Sequence, residues 1–279
     1  MIIKSYSKIN LSLRILKKIK NGLHNIQSNV FLLSLCDYIS IKKINSSRDI
    51  IMFKGQFKKL VNKHDNSVQK ILKILRLKKI ISQRYKITVN KKIPVFSGLG
   101  GGTSNAASLL KFFLKTKNIN KNIIESAEKK IGSDLRLFFN KQSYQKSLLK
   151  ITKYKKKYNF NILIVYPNIK CSTKDIYSRV KEYSLPSKID YSKIKSSTKF
   201  INFIKKDKND LQKIAIKKFS ILKNIIDFIS TQKNCTIARM TGSGSACFGV
   251  FKNNKSAKLA LNRVKRKFPK YWCVVTKTI

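Results

Sequence analysis

The chain has 279 residues, 42% of them apolar, which is enough for a large buried core in one or two domains and excludes a disordered polymer. Lysine and arginine outnumber aspartate and glutamate by 62 to 12, a formal charge of +50 that taken alone points to a polyanionic partner. Lysine is scattered beside Ile and Asn through every segment instead of forming a stripe or tail, which favours drift of exposed positions over a specific nucleic-acid site.

In chain order, Ser7 to Leu13 alternates as a strand, with Lys8 and Asn10 on one face and Ile9, Leu11 and Leu13 on the other. Asn21-Gly22-Leu23-His24 reads as a hairpin turn that delivers one of only two histidines. Strands follow near Tyr38 to Ile44 and Ile50 to Phe53. Asp65 or Asn66 then caps a helix with Val68, Ile71, Leu72 and Leu75 at helical spacing. Tyr85 to Val89 is a strand that feeds Lys91 and then the densest glycine run in the chain.

That run, Pro94-Val95-Phe96-Ser97-Gly98-Leu99-Gly100-Gly101-Gly102-Thr103-Ser104, leads into Ala106, Ala107, Leu109 and Leu110 at helical spacing. Glycines let the backbone take positive φ and approach a ligand, and the following helix points free N–H groups at whatever the loop holds. An anion such as phosphate fits there. A dinucleotide fingerprint would need a third glycine where Thr103 stands, and a P-loop would need lysine where Gly102 stands.

A helix from Asn122 to Lys130 ends at Gly132-Ser133-Asp134-Leu135, where Asp134 or Ser133 either caps the next helix or carries chemistry. The basic stretch from Lys150 to Tyr158 marks the expected boundary between domains 1–155 and 156–279. Beyond it come a strand from Phe160 to Tyr166, the segment Ser172-Thr173 with Tyr177, and one long amphipathic helix from Asn209 to about Ser230. A second glycine turn, Thr241-Gly242-Ser243-Gly244-Ser245, sits between two strands, before a helix from Ser256 to Lys267 and a strand from Tyr271 to Val275. The five cysteines, Cys36, Cys171, Cys235, Cys247 and Cys273, form no Cys-x-x-Cys pair, so neither a disulfide framework nor a zinc site is indicated. With no apolar run near membrane length, a cytoplasmic protein without membrane contact is expected.

The run from Gly98 to Ala107 resembles the ATP loop of the GHMP kinases, the family of galactokinase, homoserine kinase, mevalonate kinase and phosphomevalonate kinase. Ser7 to Leu13 is similar to the family's Ala-Lys-Ile-Asn-Leu motif, Gly132 to Leu135 to its Gly-Ala/Ser-Asp-Val pattern, and Thr241 to Ser245 to its third motif. The resemblance implies an α+β, two-domain GHMP kinase fold: an N-terminal domain like domain 2 of ribosomal protein S5 and a ferredoxin-like C-terminal domain, meeting at a cleft. It implies ATP and Mg²⁺ as cofactors, with ATP at Pro94, Ser97, Gly98, Leu99, Gly100, Gly101, Gly102, Thr103, Ser104, Asn66 and Lys91. No strong protein ligand for the metal is implied beyond a hydroxyl of Thr103 or Ser104.

Within the family the match is best to the branch whose substrate is a cytidine diphosphate alcohol. This implies phosphorylation of the 2-hydroxyl of 4-diphosphocytidyl-2-C-methyl-D-erythritol in the methylerythritol phosphate route to isoprenoid precursors. Asp134 then takes the hydroxyl proton and Lys8 offsets developing charge. Asn10, His24, Thr173, Tyr177, Gly242 and Gly244 face the substrate. Leu23 stands where the branch has an aromatic residue, Arg136 where it has proline, and Phe96 and Ser97 where it has glycines. A kinase for another small alcohol, of homoserine or mevalonate type, is the alternative, and a basic nucleic-acid-binding protein a remote one. The expected assembly is a monomer or homodimer.

Overall fold

The structure, a computed structural model, describes residues 1–20, 22–114 and 121–279, with Lys121 by its backbone alone. Asn21 of the expected Asn-Gly turn lies outside the described residues. At its neighbour Gly22, φ is +79° and the N–H donates to the Ile19 carbonyl at 2.9 Å.

The chain runs through β1 (Ile2–Lys18), β2 (His24–Ile44), β3 (Ile50–Lys54), α1 (Ser67–Leu77), β4 (Arg84–Asn90), α2 (Gly101–Phe113) and α3 (Lys121–Ile131). A 3₁₀ segment (Ser133–Phe139) leads to β5 (Gln142–Gln145), β6 (Ile151–Lys153) and β7 (Asn161–Tyr166). Then come α4 (Thr173–Ser178), α5 (Ser197–Lys206), α6 (Asp210–Lys218), α7 (Ile221–Ser230), β8 (Cys235–Met240), β9 (Cys247–Phe251), α8 (Asn254–Lys267) and β10 (Trp272–Lys277). No helix among the described residues is long and apolar enough to cross a membrane.

Two compact units share these elements: unit 1 holds Met1–Ser7, Leu35–Val95 and Gly100–Asn140, and unit 2 holds Lys8–Ser34, Phe96–Leu99 and Lys141–Ile279. The units interleave along the chain, a different division from the halves 1–155 and 156–279, which we retain as a proposal for the family domains.

In unit 1, β4 lies between β3, to which it is parallel, and the second part of β2, to which it is antiparallel. A parallel pair needs a crossover, and α1 supplies it. Asn66 caps α1 by accepting from the Gln69 N–H at 3.0 Å, while the Gln69 side chain returns to the Asn66 N–H. The helix buries Val68, Ile71, Leu72 and Leu75, the four expected positions, together with Ile74.

In unit 2 the antiparallel sheet runs β10-β7-β9-β8. Numbered within this sheet this is the fourth, first, third and second strand, the ferredoxin-like order, and α8 forms the connection from third to fourth. The helix expected over 209–230 is two, because Phe219 leaves helical geometry (φ −135°, ψ 83°). The break lets Leu211 and Ala215 of α6 and Leu222, Ile225 and Ile229 of α7 reach one core with Leu163, Val165 and Val264. The sequence reading also passed over α5, whose Phe200 stacks on Tyr158 at 4.2 Å within an aromatic cluster that includes Phe31, Tyr154 and Phe160.

Burial raises the phenol pKa of Tyr144 to about 12 and pushes up those of Tyr154, Tyr158, Tyr166 and Tyr191. The folded state holds the neutral phenol, so the stability gained is complete below about pH 10 and is lost as pH rises through the folded values. Absorbance at 295 nm should therefore show part of the tyrosine ionisation delayed in the native protein relative to the urea-unfolded chain. Superimposable curves would contradict this burial.

Candidate active site

Residues 96–99 of the glycine run belong to unit 2. Gly98 has φ +77°, and a Cβ there would lie 2.3 Å from the Thr241 carbonyl oxygen and 3.1 Å from that of Gly244, so only glycine fits. The Ala246 N–H donates to the Ser97 carbonyl at 3.0 Å, and the Lys8 N–H to the Leu99 carbonyl at 3.0 Å. The Asn10 N–H donates to the Thr241 hydroxyl at 3.0 Å. The first run, the second glycine turn and β1 thus meet around residues 8–10. Phe96, exposed and at φ +59°, holds a left-handed conformation that glycine adopts without strain.

From Gly100 onward the run belongs to unit 1. Gly100, at φ +70°, is the N-cap of α2 and has no side chain to cap that end, which leaves the amides of the first turn suited to a ligand. Gly102 is exposed and Thr103 half-buried beside it. The Ser104 hydroxyl is turned inward, donating to the Tyr6 carbonyl at 2.6 Å and pairing with Ser5 at 2.8 Å.

Lys91 does not present its charge to a ligand. Its ammonium is buried against the Asp37 carboxylate and donates to Asn105 Oδ1 at 3.1 Å, and burial lowers its pKa. Asp37 also accepts from the Lys92 and Ile93 N–H groups, and Asn105 donates to Asp37 at 3.0 Å and Ser5 at 2.9 Å. This network anchors both flanks of the run in unit 1. Asn66 is likewise occupied by its cap, with Nδ2 donating to Gln69 Oε1 at 2.7 Å.

Lys8 donates from Nζ to Asn10 Oδ1 at 2.6 Å, and a Cβ on Gly242 would lie 3.3 Å from either atom. Both side chains are buried, although the alternation placed them on a single face. Thr173, in the first turn of α4, bonds the Ser243 hydroxyl at 2.9 Å. Gly244 packs close to Met240 and Cys171. The His24 ring lies 5.2 Å from that of Tyr177 and 6.4 Å from that of Tyr183, which is partly exposed. Burial, then the charge of Lys18, lowers the His24 pKa, leaving a neutral imidazole with one donor and one acceptor. Tyr183 escaped the sequence reading because no local pattern marks it.

Asp134 lies in the first turn of the 3₁₀ segment in unit 1, half-buried. The N-cap there is Gly132 at φ +134°, so Ser133 and Asp134 lie just inside the segment and not at the cap position itself. Arg136, in place of the family's proline, pairs with Glu128 at 2.6 Å and ties the turn back to α3.

Comparison with known proteins agrees with these features. The model "GHMP kinases N terminal domain" matches residues 66–135 and "GHMP kinases C terminal" matches residues 198–270. A 4-diphosphocytidyl-2-C-methyl-D-erythritol kinase of Pelagibacter ubique is 40% identical over 281 aligned positions, covering 99% of this chain and 98% of the relative. One of the same name from Ureaplasma parvum is 29% identical over 63% of this chain and 68% of its own length. A crystal structure of 4-(cytidine 5'-diphospho)-2C-methyl-D-erythritol kinase aligns over the whole of both chains with a TM-score of 0.76 at 19% identity. Homoserine kinase from Cytophaga hutchinsonii gives 0.72 at 15%, covering 100% of this chain and 94% of its own.

The chain belongs to the GHMP kinase family and has its two-domain α+β fold; it is a small-molecule kinase of the class that uses ATP as phosphate donor. Along its whole length it is homologous to the 4-diphosphocytidyl-2-C-methyl-D-erythritol kinases.

The buried pair of unit 1 gives a direct test. Removing either charge alone, in Asp37→Ala or Lys91→Ala, should lower the unfolding free energy by about 3–5 kcal/mol. The apolar double replacement Asp37→Leu/Lys91→Met should cost less than the sum of the single losses in urea unfolding. Additive losses would show that the two groups do not depend on each other.

Proposed function

We propose that this chain transfers the γ-phosphoryl group of ATP to the 2-hydroxyl of 4-diphosphocytidyl-2-C-methyl-D-erythritol, in isoprenoid precursor synthesis by the methylerythritol phosphate pathway. The full-length similarity to a kinase of that name supports the substrate. The observation that carries the chemistry is the N-terminus of α2, where the N-cap Gly100 offers no capping side chain, behind a glycine run with Gly98 and Gly100 at positive φ. Amides and helix dipole there suit the phosphates of ATP.

In the reaction the hydroxyl oxygen attacks the γ-phosphorus, the bond to the β-bridging oxygen breaks, and ADP leaves. Asp134 receives the hydroxyl proton, and Lys8 offsets negative charge on the oxygens in transfer. The resemblance of Ser7 to Leu13 and of Gly132 to Leu135 to family motifs supports these two roles. His24 reads the pyrimidine edge with its neutral ring, and Tyr177 and Tyr183 offer stacking faces, the second in place of the aromatic residue missing at Leu23.

For Mg²⁺ the fitting group is the Thr103 hydroxyl, since that of Ser104 is spent on Tyr6 and Ser5. No cluster of acids, cysteines or histidines among the described residues offers a protein cage. That suits an ion held largely by phosphate oxygens and water, and when bound it would neutralise phosphate charge. Pro94, Lys91 and Asn66 then support the nucleotide loop from behind, without charge on the phosphates.

Two measurements test this reading. Asp134→Asn keeps shape but removes the base, so kcat should fall by roughly 10²–10⁴ with the Kd of ATP nearly unchanged. Tyr177→Ala should weaken binding of the cytidine substrate by about 1–2 kcal/mol, the scale of one lost base stack. Near wild-type turnover in Asp134→Asn would remove the base assignment. An unchanged substrate Kd in Tyr177→Ala would place the pyrimidine elsewhere.

A further inference from the structure

Behind Lys8 the polar side chains of unit 2 form a directed chain. Lys8 Nζ donates to Asn10 Oδ1 at 2.6 Å, Asn10 Nδ2 donates to Ser28 Oγ at 2.7 Å, and Ser28 Oγ donates to the Ser12 carbonyl at 2.6 Å. All three side chains are buried, Lys8 at 4%, Asn10 at 2% and Ser28 at 0% exposure, so water does not substitute for a lost link.

The order of donors is forced from the far end. The Ser12 carbonyl can only accept, so the single hydroxyl proton of Ser28 is spent on it, and Ser28 Oγ is left as an acceptor. Only the NH₂ end of the Asn10 amide can satisfy it, and this turns the carbonyl end towards Lys8. A flipped Asn10 would set two donors, its NH₂ and the ammonium, against each other. The amide orientation at the reaction centre is thus decided by a serine one strand away, on β2, where no family motif marks it.

We propose that Ser28 is a positioning residue for Lys8: through Asn10 it fixes which way the ammonium points, and so how well that charge meets the oxygens in transfer. Asn10 is on this account the link to Lys8, with one bond made at each end of its amide. The inference rests on the proposed catalytic role of Lys8. Charge stabilisation depends on geometry set before the reaction, so loss of orientation lowers kcat more than it raises KM.

The experiment is a kinetic set of Ser28→Ala, Asn10→Ala, Lys8→Ala and Lys8→Ala/Ser28→Ala, each with its thermal melt and Kd for ATP. Ser28→Ala should lower kcat roughly tenfold with KM for the alcohol changed less than about threefold. Asn10→Ala, which leaves the Ser28 to Ser12 bond in place, should match or exceed that loss. In the Lys8→Ala background, Ser28→Ala should have no further effect on kcat, because groups that act through one another are not additive. If Lys8→Ala lowers kcat but Ser28→Ala stays within about twofold of wild type, or if the losses multiply, the positioning role is overturned and the kinase reading stands. If Lys8→Ala itself keeps wild-type kcat, it is the catalytic reading of Lys8 that falls.

Discussion

A side chain at residue 98 would collide with the Thr241 carbonyl, the ideal Cβ lying only 2.3 Å from it, and the functional part of unit 2 depends on that exclusion. Because the backbone of the first glycine run reaches the second glycine turn, the Ser97 carbonyl can accept from Ala246 and the Leu99 carbonyl from Lys8. Gly242 in turn leaves room for the Lys8 and Asn10 side chains. Three segments distant in sequence are thus fixed together by backbone groups.

The flanks of the same run in unit 1 are fixed by different physics. There a buried ion pair, one amide side chain and one hydroxyl hold Lys91, Asp37, Asn105 and Ser5 in one network. A buried pair is weak evidence for added stability, since desolvation offsets most of the attraction, but it allows few alternative arrangements. In a chain with twelve acids against sixty-two cations, placing Asp37 at 0% exposure reserves a scarce carboxylate for that task. The surplus of lysine has no equivalent role in the site, where the cation proposed to act is Lys8 alone.

Local signals were legible in the sequence. The glycine run announced an open helix N-terminus, helical spacing announced α1 with Asp65 or Asn66 as its cap, and alternation announced the strand around Lys8. What escaped depends on partners far along the chain. Lys91 read as a ligand-facing cation because nothing near it discloses Asp37, fifty-four residues earlier. Phe219 reads as part of a helical stripe, and only the shared core of α6 and α7 makes a break there favourable. Ser28 and Tyr183 carry no motif, and their meaning comes from Asn10 on a neighbouring strand and from His24 far away along the chain. The interleaving of the two units is of the same kind, since long strands such as β1 and β2 carry residues of both.

The central claim is the identity of the phosphoryl acceptor. The most direct measurement is ³¹P NMR of the purified protein with ATP and Mg²⁺, offered in turn 4-diphosphocytidyl-2-C-methyl-D-erythritol, homoserine and mevalonate. The account predicts ADP and a new phosphomonoester resonance with the first alcohol only, its diphosphate signals remaining intact. A phosphomonoester formed from homoserine or mevalonate, with none from the cytidine compound, would contradict it.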